Sequence, residues 1–170
     1  MTGVQTCALP ILLDLRPFTV KVQDDLSGPA TVDEQGRFTL SPISIRDQVV
    51  LFCQHGTNKN LVLEWMAATS AGLYGEMNVT VDLRSTARSM IARSLRERYG
   101  RRIRPEELKT EHISATVNAI ADVLEKYPTK LSSQPLNQIA EVKAAYTAMA
   151  DSLHAGNSGA YPNEHVLLLH

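Results

Sequence analysis

The stretch that decides the fold is residues 31–40, Thr-Val-Asp-Glu-Gln-Gly-Arg-Phe-Thr-Leu. Two short runs of β-type composition, residues 30–32 and 37–40, stand on either side of Asp33-Glu34-Gln35-Gly36. Aspartate at the first position of a turn can accept a hydrogen bond from the backbone two residues on. Glycine at the fourth position adopts a positive φ without steric cost. The stretch therefore predicts a tight turn between two strands.

The second of these strands alternates between apolar and polar side chains. Phe38 and Leu40 fall on one face of the strand, and Arg37 and Thr39 fall on the other. A face that is apolar needs a partner, and the apolar runs that follow along the chain can supply it. We therefore predict a structural hairpin with one buried side, defined by Asp33, Gly36, Phe38 and Leu40.

Other short runs on both sides of this stretch also have strand character. Residues 18–22 alternate between apolar and polar, which is typical of a half-buried strand. Residues 48–53 are almost wholly apolar, which suits a strand covered on both faces. Residues 60–67 supply another strand, and residues 77–83 alternate cleanly. Several short strands at roughly ten-residue spacing predict a β-sandwich or part of one.

The hydrophobic period changes from two to about four after residue 83. The first helical stripe ends at Gly100, a residue that commonly follows a helix. Thr110 can cap a second helix, which Pro128 closes, and a third helix is expected to start within residues 133–135 and to end at Gly156. The three apolar stripes are Ala87, Met90, Ile91 and Leu95; Ile113, Val117, Ile120 and Leu124; and Leu136, Ile139, Tyr146, Met149 and Leu153.

The predicted fold class is α+β, with a partial antiparallel β-sandwich followed by a three-helix segment. The sandwich covers residues 12–83, the helical segment residues 84–156, and a linker or tail residues 157–170. The chain of 170 residues is 44% hydrophobic and 21% charged, so it can bury one core or two small ones. No apolar run approaches the ~20 residues that span a bilayer.

Residues 1–11 have a separate interpretation. Residues 2–11 resemble, without a gap, the in-frame translation of a common short-read sequencing adapter. The rival interpretation, a signal or lipid-attachment segment ending at Cys7, lacks a basic region before its apolar stretch. We therefore expect residues 1–11 to be adapter-derived and not native, and the native chain to continue upstream of Leu12.

The match between residues 31–40 and a known signature gives a family resemblance. The stretch is similar to the Thr-Asp-x-x-Gly-x-Phe-x-Leu signature of the carboxypeptidase-regulatory-like family, which are small transthyretin-type β-sandwiches. The family's leading Gly-x-Val and Gly-Ala-x-Val strands do not occur before Asp33. Either truncation has removed them or the sandwich is divergent. Ser85-Thr86-Ala87 further resembles bacterial surface proteins in which such a sandwich leads into a helical segment.

Residues 84–104 contain eight arginines and one glutamate, which give a net charge of +7. Residues 12–83 and residues 105–170 each have a net charge of −4. Such a density of guanidinium groups can bind phosphate, polysaccharide sulfate or nucleic acid. Arg84 and Arg88, however, share the helix stripe of Ile91 and Leu95 and are expected to face the protein. With only Tyr99 nearby for base stacking, a nucleic-acid partner is not expected. We favour arginines that are solvated or paired within the chain, and the alternative is an anion site of Arg93, Arg96, Arg101 and Arg102.

Two further residue pairs have a functional and a structural interpretation. Cys53 and His55 stand two apart on one predicted strand, which a thiol nucleophile activated by imidazole would require, but a buried thiol and a polar strand end are the favoured interpretation. Trp65 with Tyr74 could form a carbohydrate-stacking platform, but Trp65 shares a strand face with two leucines and is expected in the core. The residues predict no catalytic group, no metal site and no cofactor.

The resemblance implies a non-catalytic, extracytoplasmic accessory or adhesion-type domain. We therefore expect a non-enzymatic binding or structural module of a bacterial envelope or secreted protein, with a protein or polysaccharide ligand. One alternative is a polyanion-binding interaction domain that uses the arginines of residues 84–104. Another is an accessory domain of a larger enzyme.

Overall fold

Strands occupy the first half of the described chain and helices the second. The computed structural model describes residues 3–7, 18–23, 29–40, 48–68 and 79–156, with only the backbone of residues 3–7 and 68. Within these ranges the strands are β1 (Gly3–Cys7), β2 (Phe18–Val22), β3 (Ala30–Thr31), β4 (Arg37–Leu40), β5 (Gln48–His55), β6 (Val62–Ala68) and β7 (Thr80–Val81), and the α-helices are α1 (Leu83–Tyr99), α2 (Thr110–Lys126) and α3 (Ala140–Gly156).

The larger sheet has four antiparallel strands in the order β3-β2-β5-β6. Its register places Val20 opposite Cys53 and Cys53 opposite Leu63, so that these side chains share one face. The opposite face carries Phe52 and Glu64, which are also paired across two strands. This outer face is the one that forms the candidate site.

The smaller sheet has three strands in the order β4-β1-β7. Strand β1 pairs antiparallel with β4 and parallel with β7, so the sandwich predicted as antiparallel contains one parallel pair. Backbone pairing needs no particular side chain. The pairing of β1 therefore does not test the adapter origin of residues 1–11, which stays a prediction.

The turn at residues 33–36 has the predicted chemistry. The backbone N–H of Gln35 donates to Asp33 Oδ1 at 2.9 Å, and Gly36 has a φ of 76°. Phe38 and Leu40 are buried, as the alternation predicts. The hairpin prediction is nevertheless wrong, because β3 pairs with β2 in one sheet and β4 pairs with β1 in the other. The turn is the corner at which the chain crosses between the sheets.

The inner face of strand β5 is covered, but on its outer face only Val50 is buried, so the predicted covering of both faces is confirmed only in part. Leu51 and Cys53 are fully buried in a core that also contains Phe38 of the smaller sheet. On the other face, Val50 packs with Met66 of β6 and Ala92 of helix α1. Helix α1 therefore reaches the outer face of the four-stranded sheet through Ala92. The sheets and the helices together make an α+β fold, as predicted.

The helices follow the predicted stripes but begin at different residues. Asp82 caps α1, so Leu83 is its first residue and the helical segment begins one residue before the predicted boundary at 84. Thr110, which was predicted to cap α2, is the first residue of that helix, and Lys109 occupies the cap position. Helix α3 begins at Ala140, later than the predicted 133–135, because residues 136–138 form a separate 3₁₀ turn.

The C-terminal ends of these helices lie close to the predicted residues. Gly100, with a φ of 65°, ends α1 and Gly156 is the last residue of α3. Helix α2 stops two residues before Pro128. None of the helices in the described part of the chain is long and apolar enough to cross a membrane. The predicted tail at residues 157–170 lies outside the described residues.

The first turn of α1 closes the edge of the larger sheet. Strand β6 is an edge strand, and the backbone of Glu64 faces α1 instead of another strand. The hydroxyl of Thr86 accepts the N–H of Glu64 at 3.0 Å, and the hydroxyl of Ser85 donates to the Glu64 carbonyl at 2.8 Å. Both hydroxyls are buried with their residues. Two helix side chains thus replace a neighbouring strand, which protects the edge from pairing with other chains.

Substitution of Thr86 by valine should destabilise the protein through this contact. The change keeps the shape of the side chain and leaves the buried N–H of Glu64 without its acceptor, so we expect a loss of about 1–3 kcal/mol in the free energy of unfolding. Thr116 offers a matched control, because it is equally buried and its hydroxyl has no partner among the described residues. Urea denaturation should show Thr116→Val to be neutral or stabilising. Equal losses in both variants would contradict the role of Thr86.

Candidate functional site

Two grooves lie on the outer face of the four-stranded sheet, beside helix α1. The larger groove has a volume of about 750 Å³ and runs between the sheet and the second half of α1. Its lining mixes apolar side chains from β5, β6 and α1 with polar and charged side chains. The lining residues are Gln23, Gln48, Val50, Phe52, Met66, Ala92, Arg93, Arg96, Glu97, Arg102 and Ile103.

The smaller groove has a volume of about 350 Å³ and lies on the other side of Arg93. The sheet contributes its floor and the segment before α3 contributes a wall. Phe52 and Arg93 line both grooves. The remaining lining residues are Lys21, Gln54, Asn60, Val62, Glu64, Pro135, Leu136 and Asn137.

An ion pair between Arg93 and Glu64 separates the two grooves. Arg93 Nη2 donates to Glu64 Oε2 at 2.5 Å, and the guanidinium carbon lies 5.9 Å from the centre of the Phe52 ring. The side chain of Glu64 is 6% exposed and that of Arg93 is 30% exposed. The carboxylate is therefore held inside the protein while its cation reaches towards solvent.

Burial raises the pKa of Glu64 above its ordinary value of 4.5. Arg93 acts in the opposite direction through its charge and hydrogen bond, and the negative charge of Glu97 adds to the increase. The loss of water around the carboxylate thus outweighs the nearby cation. Glu64 is easier to protonate than a surface glutamate, and its ionisation depends on Arg93.

Three of the four arginines predicted as an anion site meet at the larger groove. Arg93, Arg96 and Arg102 line it, and Arg96 Nη1 donates to the side-chain oxygen of Gln48 at 3.0 Å. Arg101 does not join them, because its Nη1 donates to the carbonyl of Leu153 in α3 at 2.8 Å. The structure thus separates Arg101 from the predicted set.

Most of the other arginines contact the chain itself, which agrees with the favoured interpretation of internal pairing. Arg88 donates to the carbonyl of Leu108, Arg98 pairs with Asp151 at 2.9 Å, and Arg104 lies 3.9 Å from the Glu107 carboxylate. Arg88 faces the protein as predicted. Arg84 does not, because it is exposed at the start of α1.

The Cys53 and His55 side chains take part in core packing and in a turn, respectively. Cys53 is fully buried in the core between the sheets. His55 Nδ1 accepts the backbone N–H of Asn58 at 3.0 Å, and its ring meets Phe18 edge-on with the ring centres 4.9 Å apart. The histidine therefore orders the turn after β5. Trp65 packs against the core as expected, whereas its suggested partner Tyr74 lies outside the described residues.

Glu64 was missed by sequence reasoning, although the sequence contains a signal for it. It is the only charged residue in β6, whose other members are Val, Leu, Trp, Met and two Ala. A lone acid in an apolar strand requires a partner if it is buried. Its partner, Arg93, is 29 residues away and could not be identified from spacing.

The ion pair is tested by comparing the stabilities of Glu64→Gln and Arg93→Gln at neutral pH. Glutamine removes the cost of burying the charge of Glu64, so we expect Glu64→Gln to be at least as stable as the parent at pH 7. Arg93→Gln leaves a buried carboxylate without its cation and should cost up to about 3 kcal/mol. Urea denaturation at several pH values measures both effects.

The pH dependence has a defined sign. Because the pKa of Glu64 is higher in the folded chain than in the unfolded chain, its contribution makes stability fall as the pH rises from 4.5 through the raised pKa. Glu64→Gln should flatten this part of the curve. Arg93→Gln should recover stability as the pH falls and Glu64 is protonated. If Glu64→Gln loses as much stability as Arg93→Gln at pH 7, the assignment of a costly buried charge is wrong.

Comparison of the chain with protein-family models, with curated proteins and with solved structures finds no match.

Proposed function

We propose that this chain is a non-enzymatic binding module of an exported bacterial envelope or secreted protein, and that the larger groove is its ligand site. The observation that carries the proposal is the lining of the larger groove, which has an apolar floor and arginines at its rim. Val50, Phe52 and Met66 supply the floor, and Arg96 and Arg102 supply the charge.

The size and the chemistry of the groove support a ligand site. Its volume of about 750 Å³ falls in the range of roughly 300–1,000 Å³ that is usual for small-molecule sites. Such sites combine an apolar lining with a few polar groups that fix the orientation of the ligand. The side chains of Gln48 and Arg96 are already joined by a hydrogen bond, so one polar anchor is organised before the ligand binds.

The arginines favour a compact ligand over a long polyanion. A polyanion is bound by many free cations, each of which neutralises one phosphate or sulfate. Here Arg88, Arg98 and Arg101 donate to other parts of the chain, and Arg93 is paired with a buried carboxylate. The arginines at the larger groove are too few to follow an extended charged chain.

The resemblance of residues 31–40 to the carboxypeptidase-regulatory-like family supports the placement on an exported protein. The resemblance implies an accessory or adhesion-type domain that has no catalytic activity. The fold of two packed sheets is compatible with it.

Blocking the groove should weaken the binding of an apolar anion. We expect 8-anilinonaphthalene-1-sulfonate to bind and to shift the amide resonances of Val50, Phe52 and Ile103. Gln23→Trp places a large ring at the exposed edge of the groove, where it takes up space that the dye needs, and should weaken this binding about tenfold or more, a change of ~1.4 kcal/mol.

The matched control is Gln35→Trp, which changes the same residue type at the exposed turn between the sheets. Fluorescence titration of both variants decides the result. If Gln23→Trp binds the dye as tightly as Gln35→Trp, the larger groove is not the ligand site.

A further inference from the structure

We infer that the larger groove recognises a small amphipathic carboxylate, with the carboxylate between Arg96 and Arg102 and the apolar part along strand β5. This inference rests on the proposed function and adds the chemical class of the ligand. It is carried by three features of the groove, which are the donors of Arg96, the charge at the rim and the apolar floor.

Arg96 is the anchor for the carboxylate. Its guanidinium has five N–H donors, and Nη1 donates to Gln48 Oε1 at 3.0 Å. Gln48 is the first residue of β5, so this bond joins the exposed side chain of Arg96 to the sheet. The remaining donors of the guanidinium suit the two oxygens of a planar carboxylate, which arginine binds in bidentate geometry.

The charges at the rim select for one negative charge. Arg93 is compensated by Glu64, which leaves Arg96 and Arg102 against Glu97 on the lining of the same groove. The surplus is a single positive charge. A ligand with one carboxylate balances it, whereas a second carboxylate would meet the side chain of Glu97.

The floor provides for the apolar part of the ligand. Val50 and Phe52 lie on the outer face of β5, and Met66 lies opposite Val50 on β6. From Gln48 to Phe52 the strand advances four residues, a length of about 13 Å. Ile103 and Ala92 line the other side. Val50, Met66 and Ala92 are buried against one another, and Phe52 and Ile103 are half-buried beside them. An unbranched or aromatic chain can therefore extend from the arginines along Phe52 and Ile103.

The test compares three ligands that share a ten-carbon chain and differ in the head group, namely decanoate, decanol and decyltrimethylammonium. Below their aggregation limits, each is titrated into the whole chain and followed by calorimetry and by amide chemical shifts. We expect decanoate to bind at least about tenfold more tightly than decanol, as one charge-assisted bidentate contact allows. Decyltrimethylammonium should bind more weakly than decanol.

Paired arginine variants assign the head-group site. Arg96→Gln with Arg102→Gln should reduce decanoate binding to that of decanol and leave decanol binding unchanged. The control is Arg84→Gln with Arg104→Gln, which removes the same charge from exposed arginines that do not line either groove. Arg102→Gln alone, at an exposed loop position, should give an intermediate loss and guards against any effect of the double change on folding.

The outcomes separate this inference from the proposed function. If decanol binds the groove as tightly as decanoate, the inference is overturned and the proposed function stands. If decanoate binds equally well to both double variants, the arginines of the rim are not its site and the inference fails. If none of the three ligands nor the dye shifts the amides of the groove, both the inference and the proposed function fail.

Discussion

Helix α1 holds Glu64 at three points, and the position of the helix on the sheet depends on them. The backbone N–H and carbonyl of Glu64 bond to the hydroxyls of Thr86 and Ser85, and its carboxylate pairs with Arg93 two turns further along. The first two contacts replace the missing strand beside β6. The third joins the second half of α1 to β6, where Arg96 and Glu97 line the larger groove. Arg93 lines both grooves, so this ion pair lies where they meet.

Local features of the fold could be predicted from the sequence, and features that depend on distant partners could not. The turn at Asp33 and Gly36 follows from the chemistry of four consecutive residues, and Gly100 ends its helix through its own φ. The turn joins two sheets because β3 pairs with β2 and β4 pairs with β1. The local sequence pattern contains no information about these partners. The late start of α3 has a similar cause, because the N–H of Leu136 donates to the carbonyl of Asn60, far earlier in the chain.

The candidate site could likewise be predicted only where it depends on local sequence. The density of arginines singles out α1 and the loop that follows it, and three of the four predicted side chains line one groove. The fourth, Arg101, directly follows Gly100 in the loop after α1, and its Nη1 donates to the carbonyl of Leu153 in α3. Helical periodicity does not describe side-chain direction in such a loop. Glu64 carried a readable signal as the lone charge of an apolar strand, but its importance depends on a partner that only tertiary structure supplies.

The most direct measurement of this account is hydrogen exchange at the amide of Glu64. An unprotected edge amide exchanges through local fraying, whereas an amide bonded inside the core exchanges only with extensive unfolding. Because Thr86 accepts this N–H from a buried position, we predict that the Glu64 amide exchanges as slowly as the amides of β5, which has a strand on each side. Exchange of the Glu64 amide at the rate of an open edge would contradict the claim that α1 closes the sheet.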